Sequence, residues 1–262
     1  MRSIRMLWFA CGFSILFLHG QLKAAQSVAP KTLSAKSTFE QVNEFPVKLA
    51  SIQATQKVLA GQWNKARTAK EKQKVIKRAR KFVVKSIVED IFPVWMGTPW
   101  HMGEDDDALM PHQAGKRVSC SMFVTAVLQN IGLRLDSRLR WAEAPALYIQ
   151  RSLAPKRQDL QRYLSIEPKK LAQKLGRLDD GLYVIGLNCH VGFILVENGQ
   201  ARFVHSNYVE PAEGVTDEPV AESAAIANSQ TTGYWVTPAF QDERLIRYWL
   251  TGTQVPLQKL GQ

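Results

Sequence analysis

Among the side chains able to do covalent chemistry, Cys120 has the most suggestive setting. It follows Lys116, Arg117 and Ser119 and opens a stretch in which Phe123, Val124, Val127, Leu128 and Ile131 recur at helical spacing. This predicts that the thiol sits in the first turn of a buried helix, which ends at Gly132. Free backbone N–H groups there are expected to lower the thiol pKa and favour the thiolate. The same groups would stabilise an oxyanion during acyl transfer. Such a nucleophile also needs a base and a group that orients the base.

The region after residue 181 supplies both. Leu182–Leu187, His190–Val196 and Ala201–Ser206 are rich in Val, Ile, Phe and Tyr and read as strands, with Asn198-Gly199 a hairpin turn between the last two. A two-residue turn pairs Glu197 with Gln200, sets Gly192 opposite His205 and sets His190 opposite Asn207. His190, His205 and Asn207 then share one sheet face. His205 lies on the diagonal from His190, about 7–8 Å away at Cα, within reach for one imidazole to orient the other. A slip of one residue would separate them.

Once an N-terminal leader is removed, Cys120 and Cys189 are the cysteines that remain, and a disulfide is the competing reading. Cys189 precedes His190, so its side chain should point to the opposite face. A Cys120–Cys189 bridge and a Cys120–His190 pair therefore exclude each other. A zinc site built from Cys120, Cys189, His190 and His205 fails on the same parity, and no C-x-x-C spacing supports one. No cofactor is implied.

These residues need a framework to hold them. Residues 1–24 read as an export signal: Arg2 and Arg5 lead an apolar run from Met6 to Leu18, and Leu22-Lys23-Ala24 offers a cleavage site. The run is shorter than the roughly 20 residues of a comfortable membrane span. Residues 25–38, rich in Ala, Ser, Lys and Thr, read as a flexible lead-in. Residues 39–79 read as a basic helical region, and 80–262 as the domain that carries the site. Val75, Ile76, Ala79, Phe82, Val83 and Ile87 give a helical period, broken at Pro93, Gly97 and Pro99. Two or three short helices should fill Arg140–Leu175. Val209–Thr232, with five acids and no base, reads as a loop or lid, while Gly233–Thr237 and Leu245–Leu250 read as closing strands. The acidic run Glu104–Asp107 lacks the alternation and Gly of a calcium loop.

The formal net charge is +11, and loss of Arg2, Arg5 and Lys23 with the leader lowers it by three. A basic exported chain is drawn to anionic envelope polymers and lipid headgroups. Ten Lys or Arg against the single acid Glu71 make residues 65–85 the candidate docking segment. No nucleic-acid motif appears, and an exported protein rarely meets nucleic acid. The expected location is periplasmic or secreted.

Four segments in order carry a resemblance: Gly97-Thr98-Pro99-Trp100, Ser119-Cys120-Ser121-Met122-Phe123-Val124, His190-Val191-Gly192-Phe193-Ile194 and Phe203-Val204-His205. They resemble the NlpC-type cell-wall cysteine peptidases, papain-like bacterial enzymes, over roughly residues 80–250. The resemblance implies an α+β fold in which a Cys-bearing helix packs on an antiparallel β-sheet, here with an N-terminal helical extension. It implies Cys120 as nucleophile, His190 as general base and His205 as the residue that orients the base. The implied activity is hydrolysis of amide bonds in peptidoglycan peptide stems. Trp100, where the family keeps a cleft aromatic, and Ser119, Ser121 and Asn207 are the candidate substrate-binding residues.

The sequence also departs from the family. Ser119 and Met122 stand where the family has Asp before the cysteine and Gly after it, and Trp100 replaces a Tyr. Met102-Gly103-Glu104 replaces Trp-Gly-Gly, and both Pro99–Cys120 and the interval between the histidines are longer than usual. Two other readings stay open. One is the same fold acting on a different amide or ester, as an amidase or acyltransferase. The other is a non-catalytic envelope-binding module.

Overall fold

A computed structural model describes residues 35–102, 110–112, 115–154 and 156–258. The expected leader, the first part of the lead-in and the Glu104–Asp107 run lie outside them. The fold is mixed α+β, built on a six-stranded antiparallel sheet ordered β1-β6-β2-β3-β4-β5. The strands are β1 (Gln161–Tyr163), β2 (Gly181–Gly186), β3 (Val191–Glu197), β4 (Gln200–Ser206), β5 (Val215–Pro219) and β6 (Tyr234–Pro238).

The central strands read as continuous apolar runs because both faces of the sheet are covered. Leu182, Val184, Val191, Phe193 and Val204 join a core with α4 (Cys120–Asn130), α6 (Ala146–Leu153) and α9 (Glu243–Thr251). Tyr183, Ile185, Ile194, Val196 and Phe203 join a second core with Leu171 and Leu175 of α7 (Pro168–Leu175) and Ile226 of α8 (Ala224–Asn228). Full burial of each such side chain contributes about 1.5–3 kcal/mol relative to exposure.

The N-terminal helices α1 (Ala35–Lys65) and α2 (Ala69–Ser86) belong to the first of these cores, through Phe45, Ile52, Leu59, Val75, Ile76, Ala79 and Val83. Helix therefore begins inside the stretch expected to be a flexible lead-in. The boundary expected between residues 79 and 80 falls within α2, on whose two sides Ala79 and Val83 bury into one core. Thr68 caps α2 through a capping box with Glu71, so the one acid of the basic segment serves the helix start. One wide π-type turn, Ile87–Ile91, leads into α3 (Phe92–Trp95). Pro93 lies in the first turn of α3, where its missing N–H costs nothing, and does not break the chain.

Two expectations are corrected. Leu245–Leu250 is helix α9, not a strand: Leu245, Ile246, Trp249 and Leu250 bury one helical face, Asp242 caps the start, and Gly252 ends it at φ 65°. Val209–Thr232 is not all loop, since it holds β5 and α8. Between Arg140 and Leu175 the short helices α6 and α7 form as expected, with α5 (Arg138–Ala142) entering at the start, and a short edge strand, β1, joins them.

The β3–β4 hairpin has the register read from the sequence. Glu197 pairs with Gln200 and Phe193 with Val204. Asn198 and Gly199 both adopt positive φ, at 52° and 76°, as a tight hairpin turn requires.

Candidate active site

Cys120 is the first residue of α4. Ser119 caps the helix by accepting the Met122 N–H at 3.3 Å. The segment leading to it is clamped at the sheet edge. Val118 N–H donates to the Pro99 carbonyl at 2.9 Å, and the buried Ser206 hydroxyl donates to the Val118 carbonyl at 2.7 Å. Thr98 pairs with Val215 at the start of β5, across from Gly214. A Cβ on Gly214 would lie 2.2 Å from the Thr98 carbonyl oxygen, so only glycine fits there. The thiol is free and partly exposed, which rules out a Cys120–Cys189 bridge.

The electrostatics of the thiol differ from expectation. Burial is the dominant influence and pushes the Cys120 pKa up, although hydrogen bonds from the N–H groups of Val191, Ser121 and Cys120 itself oppose it. The helix terminus acts in the expected direction, but desolvation of the charged sulfur outweighs it. The resting group is a neutral thiol with three backbone donors around it.

The Val191 N–H at the start of β3 donates to the sulfur, and His190 is the residue before it. His190 is 4% exposed and His205 fully buried. His190 Nε2 lies 2.9 Å from His205 Nδ1, the diagonal contact that the register predicts. His190 Nδ1 is buried and makes no hydrogen bond. No hydrogen bond yet joins it to the thiol, and catalytic hydrogen bonds commonly tighten only with substrate in place. Burial, and then the neighbouring His205, hold the His190 pKa well below 6.5, so this imidazole is neutral at physiological pH.

The histidines do not project from the sheet face on which α4 packs. Strand alternation puts His205 with Phe203, which belongs to the opposite core. Cys120, by contrast, packs against the core on the α4 side. Gly192 makes room for this arrangement, since a Cβ there would meet Phe203 Cε2 at 2.6 Å and His205 Cβ at 2.8 Å. Phe203 stacks on His205, with ring centroids 4.0 Å apart and planes inclined by 8°.

The candidate substrate residues separate into two groups. Trp100 is half-buried, bridges to Val118 and lies 6.5 Å from the ring of Tyr208, which in turn lies 4.9 Å from that of His190. The other three have structural partners. Ser119 is the helix cap, and Ser121 donates its hydroxyl to the Ala142 carbonyl. Asn207 Oδ1 accepts the N–H groups of Val209 and Glu210 at 3.0 and 3.1 Å, which shapes the turn after β4. Asn207 therefore acts as a turn former, and its own N–H donates to the Gly214 carbonyl at 2.8 Å.

The sequence reading missed Tyr208, whose ring lies 4.9 Å from His190, and the β5 residues Thr216 and Glu218 beside His205. Reading β5 as loop concealed the last two, because no strand period was applied to them. Among the described residues no group of three His, Cys, Asp or Glu side chains is arranged to hold a metal, and no helix is long and apolar enough to cross a membrane. No protein-family model, curated protein or solved structure matches the chain.

Proposed function

We propose that this protein is a cysteine hydrolase of amide bonds, with Cys120 as nucleophile and His190 as base, built on an NlpC-type papain-like fold. The observation that carries the reading is a free thiol at a helix start that accepts the Val191 N–H, the residue next in sequence to a buried histidine whose Nε2 is bound and whose Nδ1 has no partner.

The protonation states define the chemistry. A neutral thiol and a neutral imidazole call for concerted transfer: as Sγ bonds to the substrate carbonyl carbon, its proton passes to His190 Nδ1. The carbonyl oxygen becomes an oxyanion within reach of the N–H donors around the sulfur. His190 then returns the proton to the leaving amine as the C–N bond breaks. Water attacks the thioester by the same route in reverse and regenerates the thiol. His205 holds the imidazole throughout by its bond to Nε2.

The ordered motifs point to peptidoglycan peptide stems as the substrate class, and the leader-like N-terminus points to export. The exposed row Lys70, Lys74, Lys77 and Lys81 on α2 suits docking on anionic envelope polymers or headgroups. Other basic residues of that segment have partners in the fold. Arg80 donates to the Phe240 and Gln241 carbonyls, and Arg78 to Gln62.

The test is incubation of the mature protein with purified sacculi, with newly freed amines as the readout. Release by wild type and none by Cys120→Ala is the expected result. Equal release by both would remove the proposal.

A further inference from the structure

Which nitrogen of His190 is bare depends on where the protons lie along the histidine pair. His205 Nε2 lies 3.1 Å from Glu218 Oε1 and 3.3 Å from Thr216 Oγ1. A hydroxyl can donate or accept, so Thr216 leaves the question open. An ionised carboxylate can only accept.

We propose that Glu218 is a positioning residue of this site, its carboxylate fixing both histidines in the tautomers that leave His190 Nδ1 with a bare lone pair able to take the thiol proton. This rests on the reading of Cys120 and His190 as a working pair. The argument runs one proton at a time. Glu218 accepts from His205, so His205 Nε2 carries hydrogen. Nδ1 of neutral His205 is then an acceptor, and the 2.9 Å contact requires that His190 Nε2 donates to it. Neutral His190 has no second proton, so Nδ1 is unprotonated. The absence of any hydrogen-bond partner at Nδ1 fits that assignment.

The surroundings hold the carboxylate in place. Glu218 pairs directly with Phe203 across β4 and β5, and so reaches His205 on the diagonal. Burial opposes its ionisation, but hydrogen bonds with His205 and Ser223 outweigh it and hold the carboxyl below the usual range. Asp217 alternates to the other side of β5, where it pairs with Arg202 at 2.8 Å and does not compete. The remaining groups against the pair are Thr216 and the rings of Phe203 and Tyr208. When Nδ1 takes the thiol proton, the positive charge on the pair is stabilised by the anion at its far end. Replacing Glu218 by a neutral residue should therefore slow proton transfer without touching the thiol.

The experiment reads imidazole tautomers by nitrogen-15 NMR and, separately, the rate of Cys120 alkylation by iodoacetamide against pH. It uses the mature wild-type protein, Glu218→Gln and Glu218→Ala. In wild type, His190 should carry hydrogen on Nε2 and none on Nδ1. In Glu218→Ala the tautomers of both histidines should mix, and alkylation at neutral pH should fall about tenfold or more. Glu218→Gln, which keeps an acceptor without the charge, should lie between the two.

A proton on Nδ1 of His190 in wild type would overturn the proposal, whatever the variants do. Unchanged tautomers and rates in both variants would also overturn it. The hydrolase reading fails separately. If the tautomers follow Glu218 while wild type and Cys120→Ala release equal amines from sacculi, the assignment of Glu218 to the histidine pair stands and the hydrolase does not.

Discussion

The two halves of the site are built by different means. Around the thiol, the groups that meet the sulfur include three backbone N–H donors, fixed by the start of α4 and the first residue of β3. Around the imidazole, the contacts run through side chains, from His190 just before β3 to His205 on β4 to Glu218 on β5. The backbone half depends on the Ser119 cap, the helix start, the Val191 N–H and the main-chain clamp on Val118. The side-chain half depends on register, on Gly192 and on each residue in the line. Substitutions should therefore be far more damaging on the imidazole side, the nucleophile itself apart.

The largest expected effect is at His205. His205→Ala leaves His190 Nε2 buried with no acceptor and frees the ring to turn. Hydrolysis should fall by roughly a hundredfold or more, the range that positioned general-base catalysis supplies. A loss of less than about threefold would show that the imidazole half does not rely on this contact.

Gly192→Ala tests the same half through packing. The new methyl would meet the buried Phe203 and His205 within 3 Å, and overpacking of this kind costs about 1–3 kcal/mol. Urea denaturation should show that loss together with reduced activity. An unaffected midpoint would mean that the hairpin has slack the close contacts do not suggest.

Acid should also act on the imidazole side. The folded pKa of His190 lies below its unfolded value near 6.5, so the unfolded chain binds more protons between the two. The stability tied to neutral His190 is complete above 6.5 and is lost as pH falls below it. Denaturation midpoints should drop on the acid side of 6.5 in wild type, and less steeply in His190→Gln. Identical slopes would contradict the assigned direction.

On the backbone half, Ser119→Ala should cost about 1 kcal/mol through the lost cap, with activity reduced only in proportion to the folded fraction. The smallest effect is expected outside the site. Changing Lys70, Lys74, Lys77 and Lys81 to Gln should weaken binding to sacculi at low salt and leave alkylation of Cys120 unchanged. Binding that is unchanged would remove α2 as a docking face.

The contrast also explains what could be read in advance. The start of α4 was legible because polar Ser119 precedes an apolar helical period, and β3–β4 because Asn198-Gly199 fixes the pairing. From that register alone, His190 and His205 could be placed in contact. Glu218 could not, because Asp217 and Glu218 make β5 look like an exposed loop until its pairing with β4 is known. The reversed thiol shift was hidden for a related reason. Sequence shows the helix start, whereas the burial that outweighs it comes from the packing of Cys120 against the core on the α4 side. In α9, Leu245-Ile246 and Trp249-Leu250 fit a helix as well as a strand, and the Asp242 and Gly252 caps decide for helix.

The most direct test of the proposed pairing of thiol and imidazole is the alkylation rate of Cys120 at neutral pH in wild type and in His190→Ala. The account predicts that wild type reacts about tenfold faster or more, with the difference closing at alkaline pH as the thiol ionises unaided. Equal rates at neutral pH in the two folded proteins would contradict it.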